Sequence, residues 1–159
     1  MSADDAAAVL SFELANRAYF AASISDRGDA YFEAFADRHH AALAEQDRGI
    51  SAFYLLLDRP GAVLGRFNLY DVDDETADLG YRVAQHAAGR GVATAAVLEL
   101  CRLAPPAHGL RILRAATAHT NPASQRVLIK SGFVPLGATD PAALGGQPGT
   151  WYRRELGQP

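Results

Sequence analysis

Apolar positions Val9, Phe12, Leu14 and Tyr19 fall at mixed three- and four-residue spacing behind Ser2, Asp4 and Asp5 as caps, which predicts a helix over 4–22. A break at Ser25-Asp26-Arg27-Gly28 precedes a second helical pattern, Tyr31, Phe32, Phe35 and Leu43, that ends near Gly49. The two predict an αα-hairpin. From Ile50 the period shortens to two. Phe53, Leu55 and Leu57 alternate, Asp58-Arg59-Pro60-Gly61 supplies a turn, and Val63, Gly65, Phe67 and Leu69 alternate again, as a β-hairpin would. A third strand, Ala77 to Val83, follows the acidic loop Asp71 to Glu75. Its alternation places Leu79, Tyr81 and Val83 on one face and Asp78, Gly80 and Arg82 on the other.

Helical spacing returns over 91–104 with Val92, Ala96, Leu100 and Leu103 as one stripe, and Pro105-Pro106 and Gly109 are read as its stop. Leu110 to Ala118 predicts a buried strand, 121–131 a helix, and 133–138 and 150–156 two closing strands. The order ααβββαβαββ describes a mixed α/β (α+β) sheet rather than a repeating βαβ array. The whole chain, 1–159, is the size of one domain, with 157–159 as a tail. Residues 139–149, rich in Gly, Pro and Ala, are read as a mobile loop.

Composition narrows the function classes. The net charge of −3 argues against nucleic acid as the main ligand, because phosphate backbones are bound by clustered Lys and Arg, and it suits cationic partners better. Cys101 is the one cysteine, so no intramolecular disulfide forms; it reads as a core residue in a reducing compartment. No basic leader and no apolar run of about 18 residues is present, and the expected location is the cytoplasm, away from membranes. His39 and His40 face different ways on a helix, and Asp71, Asp73, Asp74 and Glu75 lack calcium-loop spacing, so no metal is expected.

Two segments carry chemistry. Gly89-Arg90-Gly91 stands between a strand and a helix, where backbone N–H groups and the helix dipole converge on anionic oxygens and Arg90 adds a full charge. A dinucleotide fingerprint would need glycine at Thr94, and the Gly-Lys-Ser/Thr of a P-loop is absent. One helix and one strand later comes Asn121-Pro122-Ala123-Ser124, running to Gly132-Phe133: an Asn cap, Pro in the first turn, Gly at the end. Taken alone, each also reads as ordinary turn and capping chemistry.

In this order, the strand, glycine turn and Asn-x-x-Ser helix resemble the GNAT family of N-acetyltransferases, and most closely the branch that acetylates the amino termini of ribosomal proteins. The resemblance covers roughly residues 4–156. It implies a mixed, mostly antiparallel sheet flanked by helices, with acetyl-CoA as co-substrate and no metal. It also implies acetyl transfer to an amine acceptor, a protein N-terminus or a small molecule, by direct attack in a ternary complex. On this resemblance Ala88, Gly89, Arg90, Gly91, Val92 and Ala93 bind the diphosphate, Arg82 and Val83 offer backbone groups to the pantetheine arm, Asn121 meets the same arm, and Ser124 lies at the thiol. Residues 139–149 then border the acceptor.

Three departures from the pattern matter. Ala88 stands where the family has Gln or Arg, with Gln85 or His86 as substitutes; Leu128 stands where many relatives carry a tyrosine acid; and the helical pattern starts almost at Met1, so that either the family's short first strand is missing or the chain begins late. Ser124 is then the candidate thiolate proton donor, against a capping hydroxyl. His119, at the end of the fifth strand, and Asp78, beside the loop, are the candidate bases. A weakly equipped site favours an α-amine: with a pKa near 8 it costs roughly 1.4 kcal/mol to deprotonate at pH 7, against roughly 4.6 for lysine. The rivals are a non-catalytic acyl-CoA-binding module and an acetyltransferase of drugs or polyamines. The pattern leaves monomer and homodimer equally open.

Overall fold

The first helical stretch divides at Asn16. In the computed structural model, which describes residues 1–58 and 61–157, a 3-10 turn (Ala3–Asp5) leads into α1 (Ala6–Ala15), and α2 (Arg17–Ala21) follows. Arg59 and Pro60 of the expected turn, and residues 158–159 of the tail, lie outside the described residues. The Asn16 amide donates to the Phe12 carbonyl (2.9 Å) and its Oδ1 accepts from the Gln85 N–H (2.9 Å), so the side chain competes with the helical ladder. The second stretch likewise divides, at Ala34, into α3 (Asp29–Glu33) and α4 (Phe35–Asp47).

β1 (Ala52–Leu57), β2 (Val63–Asp73) and β3 (Thr76–Val83) form an antiparallel meander. α5 runs from Val92 to His108, through Pro105 and Pro106, so the prolines do not end it as the sequence suggested. Each removes only one donor in the last turn, where Ala104 before them and Leu110 beyond are both buried in the core. The stop is Gly109, left-handed at φ 68°, whose N–H closes on the Pro105 carbonyl (2.9 Å). β4 (Ile112–Ala118), α6 (Pro122–Lys130), β5 (Val134–Ala138) and β6 (Gly149–Glu155) complete the chain.

The strands lie in the order β1-β2-β3-β4-β6-β5, antiparallel throughout except for β3 with β4. This is the mixed, mostly antiparallel sheet that the family resemblance implied. No strand precedes α1 among the described residues. The outer edge of β1 is occupied instead by the Met1 ammonium, which donates to the Phe53 carbonyl (2.9 Å), and by Gln46, whose side chain accepts from the Phe53 N–H (3.3 Å).

One face of the sheet packs Leu69, Leu79 and Leu113 with Val97 and Leu100 of α5 and Leu128 of α6, and Tyr81 and Val83 pack against this cluster. On the other, Phe12 and Phe20 of α1 and α2 cover Val63, Ala84 and Ala87. Within residues 139–149, Pro141–Leu144 forms a 3-10 turn capped by the Asp140 carboxylate, which accepts from the Ala142 N–H (2.9 Å). No helix among the described residues is long and apolar enough to cross a membrane.

What shapes the site is a parting in the sheet. β3 pairs with β4 only at Thr76↔Ile112, Ala77↔Leu113 and Asp78↔Arg114. Beyond that, β3 stays with β2 as far as Val83, and β4 stays with β6 as far as Ala118. β6 presses closely on the parted strand: a Cβ on Gly149 would meet the Thr117 carbonyl oxygen at 2.5 Å and also strike Leu144. Gly149→Ala should therefore cost about 1–3 kcal/mol in denaturant unfolding, because a strand carbonyl cannot swing away. An unchanged midpoint would show that β6 does not approach β4 this closely.

Candidate active site

The parting opens a cleft of about 420 Å³ between β3 and α6. On its β3 side, Tyr81, Arg82 and Val83 have no strand partner towards β4, so this edge can pair with the amides of an extended ligand. At one end lies the turn Ala88–Gly91. Gly89 and Gly91 take φ 74° and 79°, and nothing lies within 4 Å of a Cβ placed on either, so the left-handed backbone demands glycine here and crowding does not. The first bond of α5 runs from the Ala95 N–H to the Gly91 carbonyl (3.0 Å). That leaves the amides of Val92, Ala93 and Thr94 without an intrahelical acceptor, at the positive end of the helix. The Asn16–Gln85 hydrogen bond fixes where this turn begins.

The cations differ from the sequence expectation. Arg90 is exposed and does not line the cleft; Arg126 and Lys130, one turn apart on α6, do. Their four-residue spacing, in register with Ala123 and Val127, was a signal in the sequence that went unused. Gln85 and His86 face a separate groove beside α1, so neither replaces the side chain missing at Ala88.

A second cavity, about 380 Å³, lies across the sheet plane and shares Tyr81, Arg82, Asn121 and Ser124 with the first. Where they meet, Ser124 and Tyr81 are hydrogen-bonded through their hydroxyls (Oγ to Oη, 2.9 Å). Asn121 caps α6 by accepting from the Ser124 N–H (3.0 Å), which holds that serine at the junction. Tyr81 stacks on Phe67 at 5.8 Å, and burial pushes its phenol up to about 12, against a smaller opposing pull from the Ser124 hydrogen bond. Leu128 is fully buried in the core. A phenol is thus present at the junction, delivered by β3 rather than α6.

Around the second cavity stand Glu13 of α1, Arg66 and Asn68 of β2, Arg82 of β3, Arg27 of the α2–α3 connection, and Ala143 to Gly145 from the 139–149 segment. Glu13, only 1% exposed, accepts from Arg66 (2.6 Å) and Arg82 (2.9 Å), with Arg27 at 3.9 Å. Sequence reasoning missed this acid, although it sits in the buried stripe with Val9, Phe12 and Asn16, where a carboxylate needs a partner.

The two candidate bases lie elsewhere. Asp78 accepts from Arg114 (2.8 Å) at the last paired position before the strands part, and His119 is exposed with its Nε2 3.1 Å from Thr150 Oγ1. Neither lines either cavity.

A cleft with free helix N-terminal amides, an open strand edge and two cations has the form of a site for a diphosphate joined to an amide-bearing arm. Residues 1–134 match the family model described as an acetyltransferase (GNAT) domain. The chain belongs to the GNAT acetyltransferase family. Its enzymes move an acetyl group from acetyl-CoA to an amine, and the geometry fits that coenzyme. A search of the curated proteins finds no match. Among solved structures, it is similar to the ribosomal-protein-S5-alanine acetyltransferase of Vibrio fischeri (TM-score 0.89, 19% identity, 100% of this chain and 93% of that one). It is similar also to a Salmonella typhimurium acetyltransferase that modifies the N-terminal serine of ribosomal protein L7/L12 (0.84, 18%, 98% and 92%). A third is Mycobacterium smegmatis RimJ in complex with CoA-disulfide (0.82, 20%, 98% and 79%).

The raised phenol of this GNAT enzyme has a stability consequence. A folded-state value above the ordinary phenol value contributes stability that is complete below about pH 10 and lost as pH rises towards 12, with a slope of up to about 1.4 kcal/mol per pH unit. Between pH 10 and 11 the Tyr81→Phe variant should therefore lose stability less steeply than the parent in denaturant titrations. Equal slopes would place the phenol in water.

Proposed function

We propose that this chain acetylates a primary amine, the α-amine of a protein or peptide or a small-molecule amine, by direct attack within a ternary complex. The reading is carried by the meeting of the two cavities at the Tyr81–Ser124 pair. Acetyl-CoA supplies the thioester. The amides of Gly89 to Thr94, with Arg126 and Lys130, hold the diphosphate, and Arg82 and Val83 offer their backbone to the pantetheine arm. Asn121 sets the start of α6, and the Ser124 hydroxyl lies at the sulfur. The N–C bond forms as the C–S bond breaks, and one amine proton ends on the departing sulfur or in water.

The hydroxyl pair stabilises charge without giving up a proton. A phenol near 12 lies well above a thiol near 8.5, so full transfer from Tyr81 would run uphill, whereas a hydrogen bond to the developing thiolate through Ser124 would not. Glu13 is the one carboxylate lining the acceptor cavity, and it is committed to arginines. With Asp78 and His119 outside, the amine loses its proton to water, which favours an α-amine over a lysine side chain. The single buried cysteine suits a reducing cytosol as the working compartment.

Incubation with acetyl-CoA and a panel of peptides and amines, following free thiol and acetylated product, tests the reading. The rate should rise with pH up to about 8, as the α-amine deprotonates. Ser124→Ala should lower kcat roughly 10- to 100-fold with coenzyme affinity retained. Coenzyme bound without thiol release would make the chain a binding module, and a lysine side chain acetylated faster than a free α-amine would overturn the acceptor assignment.

A further inference from the structure

The acceptor cavity carries an imbalance of charge that acetyl transfer does not require. Arg27, Arg66 and Arg82 line it, and Glu13 is its one lining acid. Each carboxylate oxygen is already used, Oε1 by Arg66 and Oε2 by Arg82. Arg27, at 3.9 Å, is beyond hydrogen-bonding range of the same carboxylate. Burial and the nearby Arg27 hold the Arg82 guanidinium below its ordinary value, as crowded positive charge would.

The orphaned atoms give an independent observation. Arg66 is about nine-tenths buried, and its Nε has no hydrogen-bond partner; neither has Oδ1 of Asn68, 6% exposed and two residues along the same face of β2. A buried charged donor without an acceptor is costly and rare in a folded protein. Both residues line the cavity, so one unfilled cationic donor and one unfilled acceptor are buried within its wall.

We propose that the acceptor cavity selects an amine that also carries an anionic group, a carboxylate or a phosphate. Arg66 and Arg27 receive the anion, and Asn68 Oδ1 accepts an N–H from the same molecule. The inference rests on the assignment of this cavity to the acceptor. It runs against polyamines, whose second and third ammonium groups would enter a cavity with net positive lining. The anion has two sources, an acidic side chain near a peptide N-terminus or a small amine bearing its own phosphate.

The test compares kcat/KM for peptides that differ only by Asp or Asn at the second residue, for O-phosphoethanolamine against ethanolamine, and for spermidine. An anionic acceptor should lead its neutral partner roughly 10- to 100-fold, mainly through KM, and the lead should shrink as salt rises. A lead within the peptide pair assigns the site to acidic N-termini, and one confined to the phosphate pair assigns it to small molecules. Either supports the inference. Arg66→Gln should narrow the ratio most; because it also unpairs Glu13, Arg27→Gln, on a more exposed residue, is the second variant and should narrow it roughly 3- to 10-fold. Calorimetry with coenzyme A present, N-acetyl-Ala-Asp amide against N-acetyl-Ala-Asn amide and phosphoethanolamine against ethanolamine, reads the same preference without turnover. Equal binding and equal kinetics across both pairs, or spermidine as the best acceptor, would overturn the inference while leaving acetyl transfer in place. Thiol release from no acceptor would instead remove the proposed function.

Discussion

After Asp78, β3 has no strand to pair with on one side, and the rest of the site follows from that missing partner. A sheet satisfies its backbone polar groups by pairing neighbours, and here β4 is committed to β6 while β3 is committed to β2. The parallel pair of β3 with β4 separates towards its carboxyl ends, and each of those strands leads into a helix whose N-terminus faces the gap. Ligand sites in mixed sheets form outside strand carboxyl ends for this reason: helix dipoles, unpaired amides and a crevice arrive together. Tyr81 spans the gap, leaving β3 to reach Ser124 on α6, so the side chain that closes the wedge also sits where the two cavities meet.

Charge is arranged differently at the two ends of this opening. The first cavity is lined by the backbone of the glycine turn and by the cations Arg126 and Lys130, which solvent can screen. The second cavity has a buried carboxylate that gathers arginines from two strands. A buried ion pair is weak evidence of stability, since desolvation consumes most of the Coulomb gain, but removing one partner leaves an uncompensated charge. Glu13 thereby orders side chains that would otherwise repel, and α1 cannot leave the sheet without exposing that arrangement. Overall acidity suggested cationic partners; the local lining of the second cavity has the opposite sign.

Local chemistry made much of the fold legible. The alternation of β1 to β3, the amphipathic stripe of α5, and the Asn121-Pro122 start of α6 all depend on residues within a few positions of each other. The glycines of the turn were legible because φ values of 74° and 79° leave little other choice. Errors arose where a local rule did not hold: α5 runs past two prolines with Ala104 and Leu110 buried to either side, and the Asn16 bond to Gln85, 69 positions away, divides the first helix.

From its sequence alone, this chain determined an acetyltransferase-type sheet, a glycine turn that opens a helix, and a capped helix placed after it, because each is written in short-range spacing. Only the tertiary structure decided which side chains meet at the junction of the two cavities. Tyr81 meets Ser124 across 43 positions and Glu13 meets Arg66 across 53, while Asp78 and His119, plausible by residue type, are turned to other partners. Contacts at such separations leave no periodic trace, since their geometry is set by where β3 and β4 part and by which face of α1 is buried against the sheet.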